Sequence, residues 1–276
     1  MGLVLTLVAL AGALVAVGAF SELPDGYVPC VIRDGHAFRA LLFATIAPSE
    51  RSCLLIDAVC SNQVKMTKLL LQHGADPNSG YRPRFVRPLH WAAICGYVDV
   101  ARVLVAHGAL VEDPQDERAT PLTCAAEEGR LEMSKFLLSK GASVNPTIKE
   151  CPPPLWCAAY SGSVELVRLF LKHGAIVDGR GDCDLVPLLC AAELGYTDIA
   201  EILLEHGADL GAVDRDGKGV LHLAAEAEDT RMTEFLIAKG ADVNAKDKES
   251  KTPLDIAVSM DHTAVADLLR KHGAKE

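Results

Sequence analysis

The sequence predicts an all-α solenoid, in which stacked helix–turn–helix units are joined by β-hairpin-like loops and preceded by an apolar N-terminal helix. Three observations carry that prediction. The dipeptide Gly-Ala recurs at Gly74, Gly108, Gly141, Gly174, Gly207, Gly240 and Gly273, with one interval of 34 residues followed by five of 33. Twenty residues before each glycine from Gly108 onward stands Pro88, Pro121, Pro154, Pro187, Val220 or Pro253, five prolines in six places. Between these markers each unit reads as a short Ala-rich helix, a tight turn, a longer amphipathic helix and an extended loop. A fixed period kept over about 200 residues marks an array of repeats.

Composition bounds what such an array does. The chain has 276 residues, with 27 Lys and Arg against 37 Asp and Glu, a formal charge of −10; it is 50% hydrophobic and 5% aromatic. That apolar fraction is ample for a buried core. Net acidity argues against sequence-independent nucleic-acid binding, which needs clustered Lys and Arg. Polar low-complexity tracts are missing, so most of the chain is expected to fold. Nine cysteines, an odd number in a chain too long for a small disulfide scaffold, point to a mainly reduced protein.

The elements follow in order. Residues 2–20 carry no charge, and Thr6 is their only polar side chain. As one helix they would span about 28 Å, close to a bilayer core. Three readings stand: a membrane anchor, a cleaved secretory signal ending near Val17-Gly18-Ala19 but lacking a basic start, or a helix packed on the next element. Arg33, Arg39 and Arg51 follow the segment and no basic side chain precedes it, which places the bulk of an anchored protein in the cytoplasm. Residues 21–52 form a linker or capping region, with a helix expected over His36–Ala47. In the third unit, Thr120 can cap a helix that has Pro121 at its first position. That helix contains Ala125-Ala126 and stops at Gly129. The next runs from about Leu131 to Lys140, with Met133, Phe136 and Leu137 on one face, and Gly141 supplies a left-handed cap. A unit of this size cannot bury its apolar face alone, so neighbours must stack.

These units resemble ankyrin repeats. Arg87-Pro88-Leu89-His90-Trp91-Ala92-Ala93, Thr120-Pro121-Leu122 and Leu221-His222-Leu223-Ala224-Ala225 match the first half of that family's pattern. The second half is matched by Leu69-Leu70-Leu71-Gln72-His73-Gly74-Ala75-Asp76-Pro77-Asn78 and by Gly240-Ala241-Asp242-Val243-Asn244. The resemblance covers residues 53–276 as seven repeats, at about 53–85, 86–118, 119–151, 152–184, 185–217, 218–250 and 251–276. Cys53-Leu54-Leu55-Ile56 departs from the pattern, as terminal capping repeats often do.

Several constellations invite chemistry and are better explained by structure. Cys124, Cys157 and Cys190 stand one repeat apart, each just before Ala-Ala. Stacked helices lie about 8–10 Å apart, beyond disulfide reach, so these are small buried hydrophobes. Cys151 and Cys183 fall in loops and are expected to be exposed. His73, His107, His173, His206 and His272 precede the repeat glycine, where a basic group complements the helix dipole and reaches unpaired carbonyls. Asp214-Arg215-Asp216-Gly217 is a hairpin tip, with its glycine at the wrong offset for a calcium loop. No nucleophile elbow, phosphate loop, dinucleotide fingerprint or zinc pair is present, so no enzymatic activity, metal or cofactor is expected.

The resemblance implies a concave groove lined by the two residues after each Ala-Ala. They are Ile94 and Cys95, Glu127 and Glu128, Tyr160 and Ser161, Glu193 and Leu194, Glu226 and Ala227, Ser259 and Met260. Glu127, Glu128, Glu193 and Glu226 among Ile94, Tyr160 and Leu194 suggest a basic, partly apolar protein or peptide as partner, or else a merely solvated face. A second contact is expected at the loop Tyr81-Arg82-Pro83-Arg84-Phe85-Val86-Arg87, where Tyr81, Arg82, Arg84 and Phe85 form a hot-spot-like cluster. The alternative there is a tip folded back over residues 21–52. The expected protein is a monomeric scaffold or adaptor, tethered to a membrane if residues 2–20 are an anchor, and binding no nucleic acid. The runner-up, implied by the family, is a substrate of an asparaginyl hydroxylase at Asn244, with Asn145 a weaker match. A ubiquitin-ligase adaptor is disfavoured, since no effector box follows the last repeat before Glu276.

Overall fold

The computed structural model describes residues 48–80, 87–112, 119–147, 151–179 and 185–275. The apolar segment 1–20, the cap expected over His36–Ala47, and the loop residues Tyr81, Arg82, Arg84 and Phe85 lie outside them. No helix of the described residues is long and apolar enough to cross a membrane. The described residues form fourteen α-helices. They are α1 (Pro48–Cys60), α2 (Val64–Gln72), α3 (Pro88–Cys95), α4 (Val98–Ala106), α5 (Pro121–Glu127), α6 (Leu131–Ser139) and α7 (Pro154–Tyr160). After them come α8 (Val164–Lys172), α9 (Pro187–Glu193), α10 (Thr197–Glu205), α11 (Val220–Glu226), α12 (Thr230–Ala238), α13 (Pro253–Ser259) and α14 (Thr263–Lys271). Each odd-numbered helix packs on the even-numbered helix that follows it and on the odd-numbered helices of the neighbouring units, so the chain stacks in two rows.

Local chemistry starts and stops each helix where the period demands. Prolines occupy the first turn of α3, α5, α7, α9 and α13, where the missing N–H leaves nothing unpaired. Thr120 and Thr123 cap α5 reciprocally: the Thr123 amide donates to Thr120 Oγ1 at 3.2 Å and the Thr120 amide to Thr123 Oγ1 at 2.8 Å. In α13 the Thr252 amide and hydroxyl both donate to Asp255 Oδ2, at 2.7 and 2.8 Å, holding that carboxyl below the usual carboxylate range. The glycine of every Gly-Ala corner has a φ between 80° and 96°. At Gly141 a β-carbon would meet no atom within 4 Å, so the requirement there is conformational and not steric.

Packing then joins the units. Ala92 and Ala93, Ala125 and Ala126, Ala158 and Ala159, Ala191 and Ala192, and Ala224 and Ala225 are all at 0% exposure between first helices. The second helices contribute the larger groups. Met133, Phe136 and Leu137 are buried as their spacing predicts, and Phe170 is fully enclosed, a burial worth about 2–3 kcal/mol. His90 and His222 are buried in the first row, and each reaches the next unit through Nε2, to the carbonyls of Ala119 (3.3 Å) and Lys251 (3.1 Å).

A side chain four residues after the corner glycine staples each unit to the next. Asn145 Nδ2 donates to the Gly174 carbonyl at 2.8 Å, and its Oδ1 accepts from the Ile176 amide at 3.0 Å. Asn78 does the same with Gly108 and Leu110, and Asn244 with Gly273 and Lys275. Glu112 and Asp178 keep half of the pattern, accepting from the amides of Ser143 and Asp209. Gly211 has no side chain to offer; there an antiparallel bridge between Val213 and Gly219 forms, and the Lys248 amide donates to the Asp216 carbonyl at 2.9 Å.

Two substitutions test this reading in opposite directions. Asn145→Ala deletes both bonds of one staple and should lower stability in urea unfolding by about 1–2 kcal/mol. Glu228 holds a φ of 55° at a turn where the four preceding units place glycine, so Glu228→Gly should raise stability by about 1 kcal/mol.

Candidate partner-binding face

The site builds on the first-helix row. Consecutive first helices pack on one another along the whole stack, so the residues that follow each Ala-Ala recur once per unit along that row. On it, Ile94, Glu127, Tyr160, Glu193, Glu226 and Ser259 occupy one position per unit. Glu127, Tyr160 and Glu193 are exposed, Tyr160 at 48%; Ile94 is half-buried, and Leu194 beside Glu193 is 40% exposed.

Ion pairing divides the four glutamates. Glu226 is bound by the Lys218 ammonium, and that hydrogen bond holds the lysine charged to higher pH than usual. Glu128 lies 3.9 Å from Arg130, whose Nε also donates to the Ile94 carbonyl at 2.9 Å. Glu127 and Glu193 have no ion-pair partner among the described residues. Between them Tyr160 stacks on Trp156, one turn earlier on α7, with ring centroids 5.3 Å apart and planes at 14°. Trp156 is absent from the sequence-predicted set; the signal for it was an aromatic pair at i and i+4 on one helix.

Other predicted residues fall outside this face. The carbonyls four residues earlier accept from Nδ1 of His107, His173 and His206, at 2.9, 2.8 and 2.8 Å, as the helix-end reading expects. Asp214 Oδ1 accepts from the amides of Asp216 and Lys218, both at 2.8 Å, so the turn itself uses that carboxylate. Asn145 and Asn244 sit in the staples, away from the first-helix row. Cys124, Cys157 and Cys190 are buried. Burial, aided by nearby carboxylates, pushes the Cys124 and Cys190 thiols up to about 12 and Cys157 well above its ordinary value. Cys151 corrects an expectation: it is 5% exposed, with its Sγ 3.7 Å from Thr123 Oγ1, because the residue before Pro152 tucks under the start of α5. Cys183 lies outside the described residues. No group of three or more His, Cys, Asp or Glu among the described residues is placed to hold a metal. A cleft lined by Asn145, Pro146, Cys151, Pro153, Ile176 and Gly179 has room for about 10 Å³, the size of one water, and an open hollow of about 320 Å³ lies against Asn62, Gln63, Val64, Lys65 and Met66 at the first turn between helices.

Comparison with known proteins places this geometry. A family model described as ankyrin repeats (3 copies) matches residues 55–148, 149–214 and 206–276. The human protein phosphatase 1 regulatory subunit 27 is 42% identical over 83 residues, which are 30% of this chain; the chain spans about half of that relative, 53% of its length. Among solved structures, the ankyrin repeat domain of human ASB11 superposes with a TM-score of 0.72 at 25% identity, covering 80% of this chain and 98% of that one.

Cysteine burial gives a solution check of the first-row register. Cys53 and Cys60 are exposed, and burial with neighbouring charge pushes the Cys60 thiol up to about 11. Iodoacetamide at neutral pH should therefore label Cys53 first and Cys60 slowly, while Cys124, Cys151, Cys157 and Cys190 react only after denaturation, as mapped by peptide mass spectrometry.

Proposed function

This chain belongs to the ankyrin repeat family, and we propose that it is a non-enzymatic binding module that captures a basic, partly apolar protein segment on its first-helix face. The observation that carries this reading is the pair of exposed carboxylates, Glu127 and Glu193, unpaired among the described residues and standing on either side of the exposed Tyr160. Unpaired acids draw a basic partner and suppress acidic ones, while the ring and Leu194 supply the apolar contact. A net charge of −10 adds a long-range field of the same sign. The human relative is named as a regulatory subunit, which agrees with a function exercised by contact. The loop from Tyr81 to Arg87 is a second contact of opposite charge in this proposal, suited to an acidic or aromatic spot on the same partner. If residues 2–20 act as an anchor, the module is tethered to a membrane with its repeats in the cytoplasm.

The test uses the two acids that no fold contact needs. Glu127→Lys combined with Glu193→Lys should lower recovery of partner proteins from a native lysate by about tenfold, with thermal unfolding little changed; unchanged recovery rejects the groove. For the tether, deleting residues 1–20 should move the protein from membrane to soluble fractions. Full-length protein already in the supernatant after high-speed centrifugation would overturn that part.

A further inference from the structure

The spacing of the three central groups says more about the partner than its charge. Tyr160 is 48% exposed and Trp156 stacks against its ring, so the ring is held in place by its own helix. An aromatic face carries negative potential and attracts a cation, arginine above all, because the planar guanidinium stacks while its N–H groups stay free for acceptors. Acceptors for the flanking basic residues stand on both sides. Glu127 on α5 and Glu193 on α9 hold the equivalent position one unit before and one unit after Tyr160, and neither has an ion-pair partner among the described residues. Glu127 also helps push up the thiol of Cys157, which places its carboxylate near α7, the helix that carries Tyr160.

Stacked helices are about 8–10 Å apart, so acid, ring and acid recur at that interval along the face. A bound segment must present side chains at the same interval and in the same direction. An α-helix returns to one face about every 5.4 Å and a β-strand about every 6.7 Å. Polyproline II has three residues per turn at about 3.1 Å each, so every third side chain points the same way about 9.3 Å further on. That interval falls inside the range of the stack, whereas a single helical turn and a single strand repeat fall short of it.

We propose that Glu127, Tyr160 and Glu193 read a polyproline II segment of the partner in which basic residues recur at every third position, the central one being an arginine laid on the Tyr160 ring. This rests on the groove reading above and specifies what that groove accepts. The outer basic residues meet Glu127 and Glu193, and Leu194 contacts an apolar residue between them.

Two labelled peptides of identical composition separate spacing from charge: Arg-Pro-Ala-Arg-Pro-Ala-Arg, and Arg-Pro-Arg-Ala-Arg-Pro-Ala. With full-length protein at physiological salt, fluorescence anisotropy should show the first binding about tenfold more tightly than the second. Tyr160→Ala should remove most of that preference, Tyr160→Phe should keep it, and lysine in place of the central arginine should weaken binding several-fold. Circular dichroism of each variant checks that the exposed substitution leaves the fold intact. Equal affinity for the two peptides, a preference that survives Tyr160→Ala, or no binding of either peptide each overturns the inference. The groove reading falls separately, if the Glu127→Lys, Glu193→Lys protein still recovers its partners undiminished.

Discussion

Close contact between the Ala-Ala pairs of successive first helices is the constraint on which the rest of the structure depends. Methyl groups at 0% exposure fill the space between these helices, while Met133, Phe136 and Phe170 fill the second row with larger side chains. The residues after each Ala-Ala follow these buried pairs once per unit, and in the proposed groove they share one surface. A larger side chain at Ala159 or Ala192 would wedge two units apart and splay the groove, whatever it did to total stability. Two valines stand in this position, both in end units: Val59 of α1 is at 0% exposure, and Val258 of α13 is 49% exposed with no further helix covering it among the described residues.

Contacts in such an array are between neighbours, so stability is set junction by junction. Where Asn78, Asn145 and Asn244 span the corner, the junction has a two-bond staple; where Glu112 and Asp178 stand, it has one bond; at Gly211 it has none. The junction after Gly211 relies instead on the hairpin contact between Asp216 and Lys248 and on His222 reaching Lys251. Units on the N-terminal side of that point and those beyond it can therefore open with different free energies. The central face at Glu127, Tyr160 and Glu193 lies on the N-terminal side, among units joined by Glu112, Asn145 and Asp178.

Much of this frame was legible in the sequence because it is written in backbone requirements. A left-handed corner needs glycine, a helix start tolerates proline, and the period repeats both, so helix order, the core positions and the histidine row could be read directly. What escaped depended on side chains meeting across space. Nothing in the order of residues indicates that Lys218, on the far side of a turn, closes on Glu226 while Glu127 stays free. Glu228 and Asp261 adopt positive φ where the pattern has glycine because the turn geometry is imposed by the packed helices on either side. Cys151, placed in a loop by pattern, is buried because the loop of one unit is the roof of the last.

The way charge acts on this surface follows from two lengths. The Debye length at physiological salt is about 8 Å, close to the 8–10 Å between stacked units. An exposed carboxylate thus acts mainly on what sits in its own unit or the adjoining one. Glu127 and Glu193, two units apart, barely repel each other and do not share a counter-charge. The net charge of −10 can speed encounter with any basic molecule, but it cannot say where along the stack that molecule comes to rest. Position has to come from a contact that is short-ranged and occurs once. The Trp156–Tyr160 stack has both properties among the described residues: its attraction for a cation falls off within about 6 Å, and no other unit places two aromatic rings one turn apart on its first helix. In the proposed mode of binding, attraction is therefore spread over the whole acidic face, whereas register is decided at one helix, α7.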